Sequence, residues 1–304
     1  MIAELWAPFV DYGFMRRALA GCTSLSIGSA PLGTILLLRR MSLVGDAMSH
    51  AILPGAALGY LLFGLSLPAM TAGGLLAGLL VALLAGVVAR RTTLREDASF
   101  AAFYLISLAV GVLLITLRGS NVDLLHVLFG SVLALDDPTL LLGASIATVS
   151  VFALALVYRP LVVECFDPGF LRMMGRQGGL AHGAFMLLLV LNLVGGFHAL
   201  GTLMAVAYLV LPAAAARFWV RAVAKQMAVA VAVALFGSIA GLLVSFHHGV
   251  GASAAITLCL GLLYAASLAL GAHGSLRAQA RRTPTRSLLT PAEPLHDTVL
   301  SDPP

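Results

Sequence analysis

The stretch that decides the fold is "PLGTILLLRRMSLVGDAMSHAILPGAALGYLL", residues 31–62. It holds two apolar runs parted by Arg39 and Arg40, and the second run carries Asp46 and His50. A helix needs about 20 apolar residues to cross a bilayer, and runs of this kind recur along the whole chain. Of 304 residues, 60% are hydrophobic and 10% charged. A soluble domain is roughly a quarter charged, so these side chains could not cover a water-exposed surface. The chain reads as an all-α polytopic membrane protein, because in lipid every backbone polar group must be satisfied within the segment.

Helices are expected at 18–38, 42–64, 68–89, 98–117, 139–158, 183–200, 203–216, 227–246 and 252–270, which gives about eight to nine spans. The sixth and seventh could be one broken segment, since Gly195, Gly196 and Gly201 crowd their junction. "NVDLLHVLFGSVLALDD" (121–137) is too short and polar for a sure span. Basic residues at 39–40, 90–95, 159–176, 217–225 and 277–282 fall on one side if nine helices alternate, and the positive-inside rule makes that side cytoplasmic. The N-terminus is then outside and the C-terminus inside, with Arg16, Arg17 and Arg118 left on the outer side. Residues 1–272 form the membrane domain, interrupted by a polar insertion at about 159–182. Residues 273–304, rich in proline, read as a disordered tail.

Several function classes are excluded. The net charge of +5 comes from short arginine clusters between apolar runs rather than from a continuous basic face, which argues against nucleic acid. Cys22, Cys165 and Cys259 are scattered and fit buried apolar positions. There is no G-x-x-x-x-G-K-[ST] phosphate loop and no G-x-S-x-G or H-E-x-x-H motif, so nothing proposes an enzyme. No cleavable signal peptide is evident, as Asp11, Arg16 and Arg17 precede the first long apolar run. Gly55/Gly59, Gly74/Gly78 and Gly237/Gly241 stand at close-packing spacing.

Asp46 and His50 are four apart, so a helix places them on one face with Cβ atoms about 5–6 Å apart. An ionisable group within a span costs roughly 2.5–3.5 kcal/mol on insertion scales, so it usually faces an aqueous path or a partner. Carboxylate oxygen with imidazole nitrogen suits Zn, Mn or Fe as divalent ions. Two plainer roles stay open: the residues bind each other, or Asp46 caps a helix start. Two ligands do not complete a site, whereas a symmetric pair of chains would bring four to one axis.

The sequence resembles the permease subunits of zinc/manganese/iron-type ABC importers. The resemblance rests on residues 31–62, "DLLHVLFGSVLAL" (123–135), "DPGFLRMMGRQ" (167–177) and "GTLMAVAYLVLPAAAARFW" (201–219), in order over nearly all of 10–270. It implies a type II importer-like bundle in the bacterial inner membrane and a second permease copy, identical or paralogous. It further implies two cytoplasmic ATPase subunits, an outer metal-binding receptor, and a transported divalent ion with no tightly bound cofactor. Asp46 and His50 match the family's metal-path residues. Asp167, Pro168, Gly169, Arg172, Gly175 and Arg176 match its ATPase-docking segment. Lesser candidate ligands are His247 and His248 in "FHHGVGAS" (246–253), a departure from the family pattern, and His198 on the preceding outer turn. Asp123 and His126 suit packing or gating, while His182, His273 and His296 read as surface residues. A chelate permease (siderophore or corrinoid) and a proton-coupled secondary transporter are the alternatives.

Overall fold

The computed structural model describes residues 2–64, 66–117, 132–167 and 177–277. Apart from a 3-10 turn at Val132–Ala134, every regular element among them is an α-helix. These are α1 (Ile2–Asp11), α2 (Gly13–Leu38), α3 (Ser42–Ala51), α4 (Leu53–Phe63), α5 (Leu67–Arg91), α6 (Glu96–Leu117), α7 (Asp137–Phe166), α8 (Gln177–Leu200), α9 (Thr202–Arg217), α10 (Val223–His248) and α11 (Ala252–Leu270). Seven of them, α2, α5, α6, α7, α8, α10 and α11, are long and apolar enough to cross a membrane. The other two expected spans are present in different form. Residues 42–63 make one pass in two pieces, α3 and α4, and α9 has only 16 residues.

The two breaks have separate causes. Pro54 has no N–H to offer the His50 carbonyl, so one hydrogen bond of the ladder is lost where α3 gives way to α4. Gly201 has φ of 87°, a conformation that L side chains rarely adopt, and it turns α8 into α9. The sixth and seventh segments are therefore two helices joined by one glycine. The short α1, outside the expected spans, pairs its Trp6 ring with Phe9 (centroids 5.8 Å apart) and fits the aromatic belt of a membrane interface.

α2 is the buried axis of the bundle and packs on α7, α8, α9 and α10. Close approach is made by residues without side chains. A Cβ on Gly33 would lie 1.7 Å from the Leu209 carbonyl oxygen of α9, and one on Gly55 would lie 2.0 Å from the Gly73 carbonyl oxygen of α5. In lipid, backbone proximity and dispersion replace the hydrophobic effect as the force between helices, so small residues decide where helices touch. α6 and α7, in contrast, leave most of their surface uncovered by the chain itself.

Contacts at the helix ends sort the loops into two sides. Arg39 at the end of α2, Glu96 at the start of α6, Glu164 near the end of α7 and His182 near the start of α8 lie together. The end of α9 meets the region after α11, where the His273 N–H donates to the Phe218 carbonyl (2.8 Å). At the opposite end, Arg17 of α2 pairs with Asp137 of α7 (3.1 Å). This sorting agrees with the arginine-rich side expected to be cytoplasmic. Arg118 and the 121–131 part of the uncertain segment lie outside the described residues, as do 278–304 of the tail.

Candidate metal-path site

α3 is a ten-residue helix whose first residue is Ser42, preceded by Met41 as N-cap. Asp46 sits at its fifth position and His50 at its ninth, so Asp46 is no cap. The two side chains stand within ion-pair reach but make no hydrogen bond to each other: His50 Nε2 is 3.8 Å from Asp46 Oδ1. The Nδ1 of His50 is buried and has no hydrogen-bond partner among the described residues. The capping role is thereby removed, while the contact between the two side chains stands as a loose pair.

Their setting is one-sided. Met48, Ala51 and Ile52 are fully buried, whereas the Asp46 side chain is 60% exposed and that of His50 28%. Leu43, one turn earlier, is also exposed. The inner faces of α3 pack on α6, α9, α8 and α5. α6 fixes the His50 end of the helix: the Tyr104 ring stands 6.3 Å from the imidazole, and the Ser107 hydroxyl donates to the Ala51 carbonyl (3.0 Å). Ser107 thus occupies a backbone acceptor at the break that Pro54 creates, and the break is anchored rather than loose. The Ser49 hydroxyl donates to the Asp46 carbonyl (2.7 Å), which adds to the local order.

The separation suits a shared ion. Metal–oxygen and metal–nitrogen bonds of about 2.0–2.2 Å reach across the 3.8 Å gap, so one divalent cation can touch both groups. Among the described residues, no three of His, Cys, Asp or Glu gather closely enough to hold a metal ion. Among the described residues, Asp46 and His50 thus stand as a pair of potential ligands without a third.

The remaining candidates separate from this pair. On α8, His198 Nδ1 donates to the Val194 carbonyl (2.9 Å), which leaves its Nε2 buried and without a partner among the described residues. On α10, His247 Nδ1 donates to the Leu243 carbonyl (2.8 Å), and His247 and His248 are exposed at the outer end of the helix. A ring whose Nδ1–H is held by a carbonyl presents Nε2 as a free lone pair, the form that binds metal. Of the docking residues, Asp167 closes the end of α7 and is exposed. Pro168, Gly169, Arg172, Gly175 and Arg176 lie outside the described residues, as do Asp123 and His126.

One sequence expectation is overturned here. His182 is no surface residue: its side chain is 16% exposed and wedged between Arg39, Glu164 and Glu96. Its partners are 143 and 86 positions away in the chain, a distance across which sequence spacing carries no signal.

Comparison with known proteins bears on the whole bundle. A profile of the ABC 3 transport family matches residues 11–271. The manganese import system permease protein ScaB of Streptococcus parasanguinis is 31% identical over 258 residues, 85% of this chain and 91% of that protein. The manganese transport system membrane protein MntC of Halalkalibacterium halodurans is 32% identical over 257 residues, 84% of this chain and 87% of that one. A probable iron transport system membrane protein of Haemophilus influenzae is 29% identical over 86% of this chain and 94% of its own. The structure of PsaBC from Streptococcus pneumoniae in complex with Fab superposes with a TM-score of 0.80 at 28% identity, covering 92% of this chain and all of that one. An inward-facing metal-chelate type ABC transporter shares the fold alone, at TM-score 0.66 and 16% identity. The chain belongs to the ABC 3 transport family, as a multi-pass inner-membrane permease subunit of the metal-ion importer kind that its sequence resembles.

Proposed function

We propose that two copies of this chain meet across the face of α3 that carries Asp46 and His50, and that a divalent Mn or Fe ion, or Zn by the same ligand chemistry, passes between them. The single observation that carries this reading is an ionisable pair held 3.8 Å apart on an uncovered helix face, with the His50 Nδ1 buried and without a hydrogen-bond partner among the described residues. Two copies supply two carboxylates and two imidazoles, a four-ligand shell of the hard-to-borderline character that these ions share. Beside α4, an apolar groove of about 630 Å³ is lined by Leu58 and Leu62 of α4, Leu76 and Leu80 of α5 and Ile106 of α6. Manganese and iron come first because the relatives' names carry them.

ATP is hydrolysed in separate subunits, which dock on the segment from Asp167 to Gln177, with Pro168, Gly169, Arg172, Gly175 and Arg176 at the contact. An outer receptor delivers the ion, and His198, His247 and His248 stand at that end as collecting groups. Ligands must be deprotonated to bind, so uptake weakens as the outer medium is acidified. The test is uptake of radioactive manganese into vesicles holding the permease, ATPase and receptor. Asp46→Asn and His50→Ala should assemble normally and lose uptake; undiminished uptake in both would place the path elsewhere.

A further inference from the structure

At the cytoplasmic end, four charged or titratable side chains contributed by α2, α6, α7 and α8 form one part-buried cluster, with Glu96 the most open at 32%. Arg39 at the end of α2 donates through Nη2 to Glu164 Oε2 of α7 (2.6 Å) and through Nη1 to His182 Nδ1 of α8 (2.6 Å). Since Nδ1 accepts, the ring proton is on Nε2, which lies 3.2 Å from Glu96 Oε1 of α6 and donates to it. The Arg39 side chain is 8% exposed, and its guanidinium lies 5.0 Å from the centroid of the buried Phe185 ring.

Burial of this kind is not explained by stability. A buried ion pair often does no better than apolar residues of equal volume, because desolvation offsets the attraction. What the cluster does achieve is position. Glu164 stands three residues before Asp167, and His182 five after Gln177, so both flanks of the insertion are held by one guanidinium. That guanidinium belongs to the corner leading into α3. The corner is stiff: Arg40 sits at φ 58°, the Arg40 N–H bonds the Leu37 carbonyl (3.1 Å), and the Met41 N–H bonds the Leu36 carbonyl (3.1 Å). Asp46 follows on α3, whose own hydrogen bonds keep it rigid up to Ala51.

We infer that Arg39, with Glu164, His182 and Glu96, is the positioning link that carries movement of the insertion's two flanks into the helix bearing Asp46 and His50. Charge-assisted bonds to both flanks make α7, α8 and the α2–α3 corner move as one piece. The inference rests on the proposed function for its source of force and its cargo, but the link itself is a property of the described helices.

The test uses the complete complex of permease, ATPase and receptor in vesicles, with Cys165 and Cys259 replaced by serine. Spin labels are placed on Leu43→Cys, an exposed position one turn before Asp46. In the parent complex the distance between labels on the two copies shifts when a non-hydrolysable ATP analogue is added. Three variants are compared. Arg39→Met with Glu164→Leu removes both charges of the pair together. It should match the parent in thermal stability and co-purify with the ATPase, yet lose most of the distance shift and about tenfold of manganese uptake. His182→Leu should behave likewise. His182→Gln, whose amide can accept from Arg39 and donate to Glu96, should keep both the shift and the uptake.

A full distance shift in the double variant or in His182→Leu overturns the link. So does His182→Gln failing together with His182→Leu while both remain stable, because that points to packing alone. If the double variant fails to assemble, the two His182 variants decide. A parent complex whose labels ignore nucleotide overturns both this link and the ATPase-driven reading. A parent complex whose labels respond but which imports no divalent metal overturns the proposed cargo and leaves the link standing.

Discussion

Two groups of ionisable side chains stand about one helix apart in this bundle, and they are opposites. The Arg39–Glu164–His182–Glu96 cluster is largely buried and bonded among its own members, with the Arg39 Nε alone left over. The Asp46–His50 pair is partly open, with a gap of 3.8 Å and an unpartnered ring nitrogen. Both defy the cost of placing charge in an apolar bundle, and the difference lies in where the compensation comes from. The cluster is compensated mostly from within the chain, so it fixes geometry. The pair is compensated only by its own loose contact, so it can still take up a ligand from outside. A charged residue in a membrane protein is therefore read best by asking which of its polar atoms is left over.

The sharpest way to break the contrast is to remove one member from each group. Arg39→Ala leaves Glu164 and Glu96 without their cation and should cost about 3–5 kcal/mol of stability, seen as a lowered melting temperature in detergent. Asp46→Asn should do the reverse, leaving melting within about 0.5 kcal/mol of the parent while uptake of manganese falls roughly a hundredfold. Equal melting losses in the two variants would erase the distinction.

Packing around the pair offers a smaller test. Gly33→Ala places a methyl group against the Leu209 backbone, where α2 meets the helix that also flanks α3. Overpacking of this kind costs about 1–3 kcal/mol, and backbone on the far side cannot swing away as a side chain would. Ser107→Ala removes the donor to the Ala51 carbonyl beside His50. Hydrogen bonds of this sort inside membranes are worth roughly 0.6 kcal/mol, so stability should barely change while the apparent affinity for metal in uptake assays weakens a few-fold.

The smallest effect is expected far from both groups, at the outer start of α7. There the Asp136 side chain accepts from the Thr139 N–H (3.2 Å), and hydrogen bonding by Thr139 holds its carboxyl below the usual carboxylate range. A depressed folded-state value contributes stability above the ordinary carboxylate range and loses it as pH falls through the folded value. Asp136→Ala should therefore cost up to about 1 kcal/mol near neutrality. The difference from the parent should vanish in strong acid, which a melting series across pH would show.

All nine expected spans correspond to helical segments, because twenty apolar residues in a row leave lipid-satisfied helix as the one workable structure. The arginine clusters sort the loops into two groups, and the contacts at the helix ends group them the same way. Asp46 and His50 were legible as a pair because helical spacing alone puts residues four apart on one face. The G-x-x-x-G pairs likewise fall at helix contacts, with Gly241 set against Ile256 and Gly55 against Gly73.

Local sequence alone left other features open. The second span reads in sequence as one helix over 42–64, and neither its break before Pro54 nor its anchoring by Ser107, 56 residues from Ala51, was legible there. Whether Asp46 capped its helix or bound His50 depended on where α3 begins and on a distance of a few tenths of an ångström. His182 looked like a loop residue because its three partners lie on other helices. The sequence by itself determined the membrane class and the spans, and it put Asp46 and His50 forward as a pair, all of which follow from composition and helical period. Only the tertiary structure decided which charges are satisfied and which are left open, because that depends on helices from distant parts of the chain meeting at one end of the bundle.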